Sequence, residues 1–168
     1  MSAAIALLAF VTLQRLAELI HARRNTQRLL DEGAVEIGAD HYPLLVLLHA
    51  SWLGALWVLV LSGHAFLWWP AVIGYVLVEF ARVWVMASLG RYWTTRILVP
   101  RGAALVRRGP YRFLRHPNYW VVAFEIALLP LALGSWILAA VFSMLNAAVL
   151  LRRIRVEEGS LAPRRNAA

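Results

Sequence analysis

The 168-residue sequence has no cysteine and no lysine, and only nine acidic residues. The absence of cysteine excludes disulfides, thiolate metal sites and a cysteine nucleophile. The absence of lysine means that all seventeen basic residues are arginine, which we read mostly as compositional bias. Charge is sparse, at 15% of residues against about 25% in an average soluble domain. Apolar residues take its place: 61% of the chain is hydrophobic, eight residues are tryptophan and the mean hydropathy is +0.65. These figures lead us to expect an all-α integral membrane protein. A net charge of +8 would otherwise suggest nucleic acid, but the arginines punctuate apolar runs and form no soluble patch, so no nucleic-acid partner is expected.

Apolar runs fall at 3–22, 42–62, 65–89, 117–133 and 135–151, which predicts about five transmembrane helices. The third run is long enough to tilt or to continue past the bilayer. The last two are separated only by Leu133-Gly134-Ser135 and are expected to form a tight helical hairpin. The N-terminal run lacks a basic leader and an A-x-A cleavage pattern, so it is expected to be a retained span. Five spans of about 20 residues leave about 70 elsewhere, too few and too scattered for a soluble cofactor domain. The chain thus reads as one membrane domain, 1–168: three helices over 1–89, then a loop, the hairpin and a tail over 90–168.

Arginine placement sets the expected topology. With five spans, the arginines of 23–28, 91–115 and 152–165 all lie on one side, which the positive-inside rule makes cytoplasmic. The N-terminus is then outside and the C-terminus inside. The segment 90–116 is long, irregular and rich in Gly, Pro and aromatics. Within it, Tyr92-Trp93 and Ile97-Leu98-Val99 are apolar enough to dip into the interface. Long connections of this kind are usually functional or disordered, and the aromatics argue against disorder.

Two constellations stand out. Gly109-Pro110-Tyr111-Arg112-Phe113-Leu114-Arg115-His116-Pro117-Asn118-Tyr119 combines a Gly-Pro turn with a proline suited to the first turn of the fourth helix. That helix start would present free amides to an anion, with His116 at its mouth and Tyr119 one turn inside. The same residues also fit a basic aromatic belt at the membrane interface. Further on, Asn146, Val149, Leu150, Arg153 and Glu157 share one helical face, followed by Glu158. A face running from amide to guanidinium to carboxylates suits a zwitterion. It equally fits a solvated i,i+4 pair of Arg153 with Glu157.

Taken together, the pattern L-V-x-x-G-P-Y-R-x-x-R-H-P-N-Y over 105–119, a hairpin, and R-x-x-x-E-E over 153–158 resembles the isoprenylcysteine carboxyl methyltransferase family. The resemblance spans about residues 90–161. The front half, with Gln14-Arg15-Leu16-Ala17-Glu18-Leu19 and Glu36-x-Gly38 before His41-Tyr42, looks like a bacterial branch that includes O-methyltransferases of long-chain phenolic lipids. The resemblance implies an S-adenosylmethionine-dependent methyltransferase with membrane lipids around it and a lipophilic small-molecule or lipid-modified acceptor, a prenylcysteine-like carboxylate or a long-chain phenolic lipid. Carried across, Ala103, Ala104, Leu105, Val106, Tyr111, His116, Pro117, Asn118, Tyr119, Glu157 and Glu158 would form the cofactor site. Arg153 would face the acceptor as the catalytic orienting group, with Asn146 beside it. Two departures are visible: Ala103-Ala104 replace polar residues of some members, and the aromatic C-terminal helix of the eukaryotic enzymes is lacking.

Charges within spans default to functional hypotheses. Arg15 with Glu18, and Glu79 with Arg82, read as i,i+3 structural pairs. Glu125 has no local partner, so it reads either as an interhelical link to Arg82 or as a general base for a hydroxyl acceptor. The histidines His21, His41, His49 and His64 lack metal-ligand spacing, so no metal is expected. The tryptophans read as interface anchors and packing. Two other functions remain open on these residues: an NADPH-dependent membrane reductase of the related sterol-reductase type, and a non-enzymatic membrane subunit.

Overall fold

The computed structural model describes residues 1–100 and 106–166, with 160–166 described by backbone alone. Its five helices are α1 (Ser2–Asp31), α2 (Tyr42–Leu61), α3 (Trp69–Leu89), α4 (Pro117–Ala132) and α5 (Trp136–Asn166). Two short strands, β1 (Val35–Ile37) and β2 (Ile97–Val99), pair antiparallel in the register Val35 with Val99 and Ile37 with Ile97. The protein is an all-α integral membrane protein, as its composition predicts. Four helices are long and apolar enough to cross a membrane. The exception is α4, whose 16 residues span about 24 Å at 1.5 Å each, somewhat less than the hydrocarbon core.

The expected spans differ from the observed helices in instructive places. α1 continues to Asp31 because 23–31 contains no breaker, and Gly33, in a left-handed conformation (φ 85°), ends it. α5 likewise carries its basic-acidic tail as unbroken helix. The third run begins later than its hydropathy implies, at Trp69. Pro70 suits the first turn of a helix, where its missing N–H costs nothing, and 65–68 runs as a connector against the α4–α5 turn. There the Trp68 N–H donates to Ala132 O at 3.0 Å. Gly134 (φ 84°) turns beneath the Phe66 ring, where any Cβ would lie 2.4 Å from a ring carbon. Ile97–Val99 forms β2. The pairing with β1 ties the α3–α4 connection to the α1–α2 connection.

The helices meet in a shared apolar core of Leu8, Val11, Trp52, Leu56, Tyr75, Ile126, Leu129 and Phe142, drawn from all five. α4 packs between α3 and α5, and α2 lies against α5 and α1. Burial of that layer leaves the outward faces apolar, as a lipid solvent requires.

One polar cluster interrupts the core. Arg15 contacts Glu18 (2.8 Å), Glu79 (2.6 Å) and Glu125 (3.1 Å), while Arg82 contacts Glu18 (3.1 Å) and grips both oxygens of Glu125. Arg15 and Glu18 thus pair as expected. Glu79 and Arg82 do not pair with each other among the described contacts. Helix packing instead brings each a partner from another helix. Glu125 acquires two guanidiniums from α1 and α3, so the cluster joins three helices.

Candidate active site

The arginine-rich end of the bundle is assembled around the segment after α3. Gly90 (φ 56°) ends α3, and a single turn leads to Trp93, which is buried. The Asn25 amide on α1 donates to Trp93 O (2.9 Å) and Gly90 O (3.3 Å), fixing this turn. Tyr42 and Thr95 hydroxyls lie 3.1 Å apart, and Arg96 pairs with Glu36 (2.8 Å) while lying over the Tyr42 ring. These contacts hold residues 93–96 as the floor of the site. Sequence inspection flags Trp93 only as interfacial. It misses Asn25, Tyr42, Thr95 and the Arg96–Glu36 pair, whose partners lie about 60 residues apart in the chain.

The Gly-Pro motif forms the second wall. Gly109 adopts φ 58°, and a Cβ there would lie 2.0 Å from Ser88 Oγ. The Arg108 Nε–H donates to Ser88 O (2.8 Å), so the motif is clamped on the end of α3. Pro117 occupies the first turn of α4, and no side chain caps the start of that helix. The Arg153 side chain comes from α5 and is buried. It donates from Nε to the Tyr119 hydroxyl (3.0 Å) and from Nη2 to Thr95 O (2.7 Å). Tyr119 in turn donates to Glu157 Oε2. His116 stacks on Tyr119 with ring centroids 5.4 Å apart, donates from Nε2 to Glu158 (3.2 Å), and has Nδ1 3.8 Å from Glu157. Burial and the nearby Glu157 carboxylate push the Tyr111 phenol above its ordinary pKa, so it stays neutral.

Two cavities meet here. The first, about 490 Å³, is lined by Tyr92, Arg96, Val106, Tyr111, His116 and Glu157, among others. The second, about 320 Å³, runs between α1 and α2 and is lined mainly by apolar side chains such as Leu16, Leu45, Leu53, Val122 and Leu150. Trp93, Thr94, Asn118, Tyr119 and Arg153 line both. Leu16, Leu19 and Val46 of the second cavity are also about half exposed on the outer face of the bundle, so it opens sideways between α1 and α2.

Of the site residues expected from the sequence, Val106, Tyr111, His116, Asn118, Tyr119, Arg153 and Glu157 line the first cavity together. Glu158 and Pro117 sit behind that wall, the one accepting from His116 and the other buried at the start of α4. Ala103, Ala104 and Leu105 lie outside the described residues. Asn146 is buried on α5 two turns from Arg153 and lines neither cavity. Its amide oxygen has no partner among the described residues. Glu125 also lines neither cavity, and its carboxylate is occupied by Arg82 and Arg15. Of the two readings open for Glu125, the contacts favour the interhelical link to Arg82 over the general base, because two guanidiniums already claim its lone pairs.

A polar, carboxylate-bearing cavity thus adjoins an apolar one that opens sideways. Comparison with known proteins identifies the class. Residues 71–163 match the isoprenylcysteine carboxyl methyltransferase (ICMT) family, and the chain belongs to that family of membrane methyltransferases. It is 40% identical over 158 residues to a Bacillus subtilis (strain 168) protein that bears the name uncharacterized protein YpbQ. The match covers 92% of this chain and 94% of that relative.

Proposed function

We propose that this chain is an S-adenosylmethionine-dependent O-methyltransferase whose acceptor is a lipophilic molecule, either a prenylcysteine-like carboxylate or a long-chain phenol. The observation that carries this reading is the wall of Asn118, Tyr119 and Arg153 shared by a polar and an apolar cavity. A volume of about 490 Å³ falls within the range of small-molecule sites.

The residues of the first cavity fit the cofactor's chemistry. Its cationic groups call for carboxylates and π-faces, which Glu157, Tyr111 and Tyr119 supply. Its carboxylate calls for donors, and the uncapped amides at the start of α4 supply them. Asn118 brings an amide oxygen with no partner among the described residues. When bound, the cofactor supplies an electrophilic methyl group.

The protein's part is positional. Transfer requires the acceptor oxygen in line with the methyl carbon at a reacting distance of about 3–3.5 Å. Arg153 is held in place through Nε and Nη2, and its Nη1 has no partner among the described residues. That nitrogen can grip an oxyanion, whether a carboxylate that is already ionised or a phenolate. The lipid body would lie in the apolar cavity and reach it from the bilayer between α1 and α2. The clustering of arginine at one end of the bundle supports a cytoplasmic cofactor site in a bacterial inner-membrane protein whose N-terminus is outside.

Radiolabelled methyl transfer to a prenylcysteine analogue and an alkylresorcinol-type lipid, run in parallel, tests this reading. Label entering either lipid supports it and selects the acceptor. No transfer to either by protein that binds S-adenosylhomocysteine would remove the acceptor assignment.

A further inference from the structure

The apolar cavity has a second polar region, deeper in the membrane than the wall it shares with the first cavity. His49, on α2, lies seven residues beyond Tyr42, or about 10 Å along the helix axis. Both side chains line the cavity, as do Arg15, Glu18 and Arg82 of the buried ionic cluster. α4 gives the same spacing, because Glu125 of that cluster lies seven residues beyond Asn118.

The polar groups at this inner end are not equivalent. Arg15 and Arg82 direct their donors to Glu18, Glu79 and Glu125, so the ionic cluster uses its own hydrogen-bonding capacity. His49 differs. Its Nδ1 lies 2.8 Å from Leu45 O, a contact in which only an N–H can donate, and this fixes the tautomer. The other nitrogen, Nε2, is left as an acceptor with no partner among the described residues. One turn further along α2, Trp52 lines the same cavity, and its indole N–H also has no acceptor among the described residues. A lipid tail satisfies neither group. A hydroxyl satisfies an acceptor by donating to it and can accept from a neighbouring N–H.

We propose that His49 makes the inner end of this cavity a recognition point for a hydroxyl on the body of the acceptor, about 10 Å from the oxygen that receives the methyl group. This rests on the cavity being the acceptor site. The ionic cluster gives the site polarity of orientation. The guanidiniums of Arg15 and Arg82 are already taken up by Glu18, Glu79 and Glu125, so the inner end has no spare cation for an anionic head group, whereas Arg153 keeps Nη1 for one.

The rigid pair biphenyl-4-carboxylate and 4′-hydroxybiphenyl-4-carboxylate tests the proposal, with affinities measured by calorimetry on the full chain in detergent. The hydroxylated probe is expected to bind wild type about fivefold more tightly, the size of one net hydrogen bond. His49→Phe is expected to abolish that preference, and His49→Gln, which restores an acceptor, to retain most of it. Affinity for S-adenosylhomocysteine is expected to stay within about threefold of wild type in both variants. Equal affinities in wild type, or a preference that survives His49→Phe, would overturn the proposal. Failure of both probes to bind while S-adenosylhomocysteine still binds would also overturn it, leaving the cofactor reading standing. Loss of all three would remove the reading beneath it.

Discussion

Arg82→Met tests the idea that the buried ionic cluster holds the helices that form the apolar cavity. Arg82 is buried, grips both oxygens of Glu125 and reaches Glu18 at 3.1 Å. Its removal leaves Glu125 with Arg15 at 3.1 Å as its remaining ion-pair partner in the cluster. Three carboxylates would then face one guanidinium where two stood before, changing the cluster's formal charge from −1 to −2. Breaking a buried pair by deleting one partner typically costs about 3–5 kcal/mol, because the other charge remains uncompensated. At about 2–4 °C per kcal/mol for a chain of this size, thermal unfolding in mild detergent should fall by about 6–20 °C. The double variant Arg82→Met/Glu125→Gln returns the formal charge to −1 and should recover at least half of that loss. A single-variant shift under about 3 °C, or strict additivity in the double, would refute the reasoning.

Two further outcomes follow from the loop and the topology. Gly109→Ala must adopt φ 58° with a Cβ 2.0 Å from Ser88 Oγ, so it should lower both thermal stability and S-adenosylhomocysteine affinity. Gly109→Ala/Ser88→Ala removes the Oγ contact but leaves the residue-88 Cβ at 3.0 Å and the backbone strain, and should recover part of each. A reporter fused to the C-terminus should read as cytoplasmic, and a periplasmic reading would reverse the assigned orientation.

The parts of this architecture that depend on local pattern are legible in the chain, and those that depend on partners far apart in sequence are not. Apolar runs mark the helices because a lipid-facing helix must be apolar along its length. Pro117 and Gly134 mark the start of α4 and the turn after it because each residue type suits a backbone state. The β1–β2 pair leaves no signal: three residues on each side, 60 to 64 apart, register only when the connections meet. Glu79 and Arg82 are neighbours by spacing yet are satisfied by other helices, a choice that packing makes. The motif residues His116, Tyr119, Arg153 and Glu157 are visible as types at suggestive spacing. Their convergence on one wall appears only when α4 and α5 are side by side. The second cavity is a space between helices, and no run of residues encodes it locally.

The central claim is that the arginine-rich cavity binds S-adenosylmethionine, and calorimetric titration of the purified protein with S-adenosylhomocysteine tests it most directly. We expect saturable binding by wild type, weakened about tenfold or more in Glu157→Gln by loss of a charge-assisted contact, with no binding of NADPH. Saturable binding of NADPH without S-adenosylhomocysteine affinity, or no binding of either, would contradict the account.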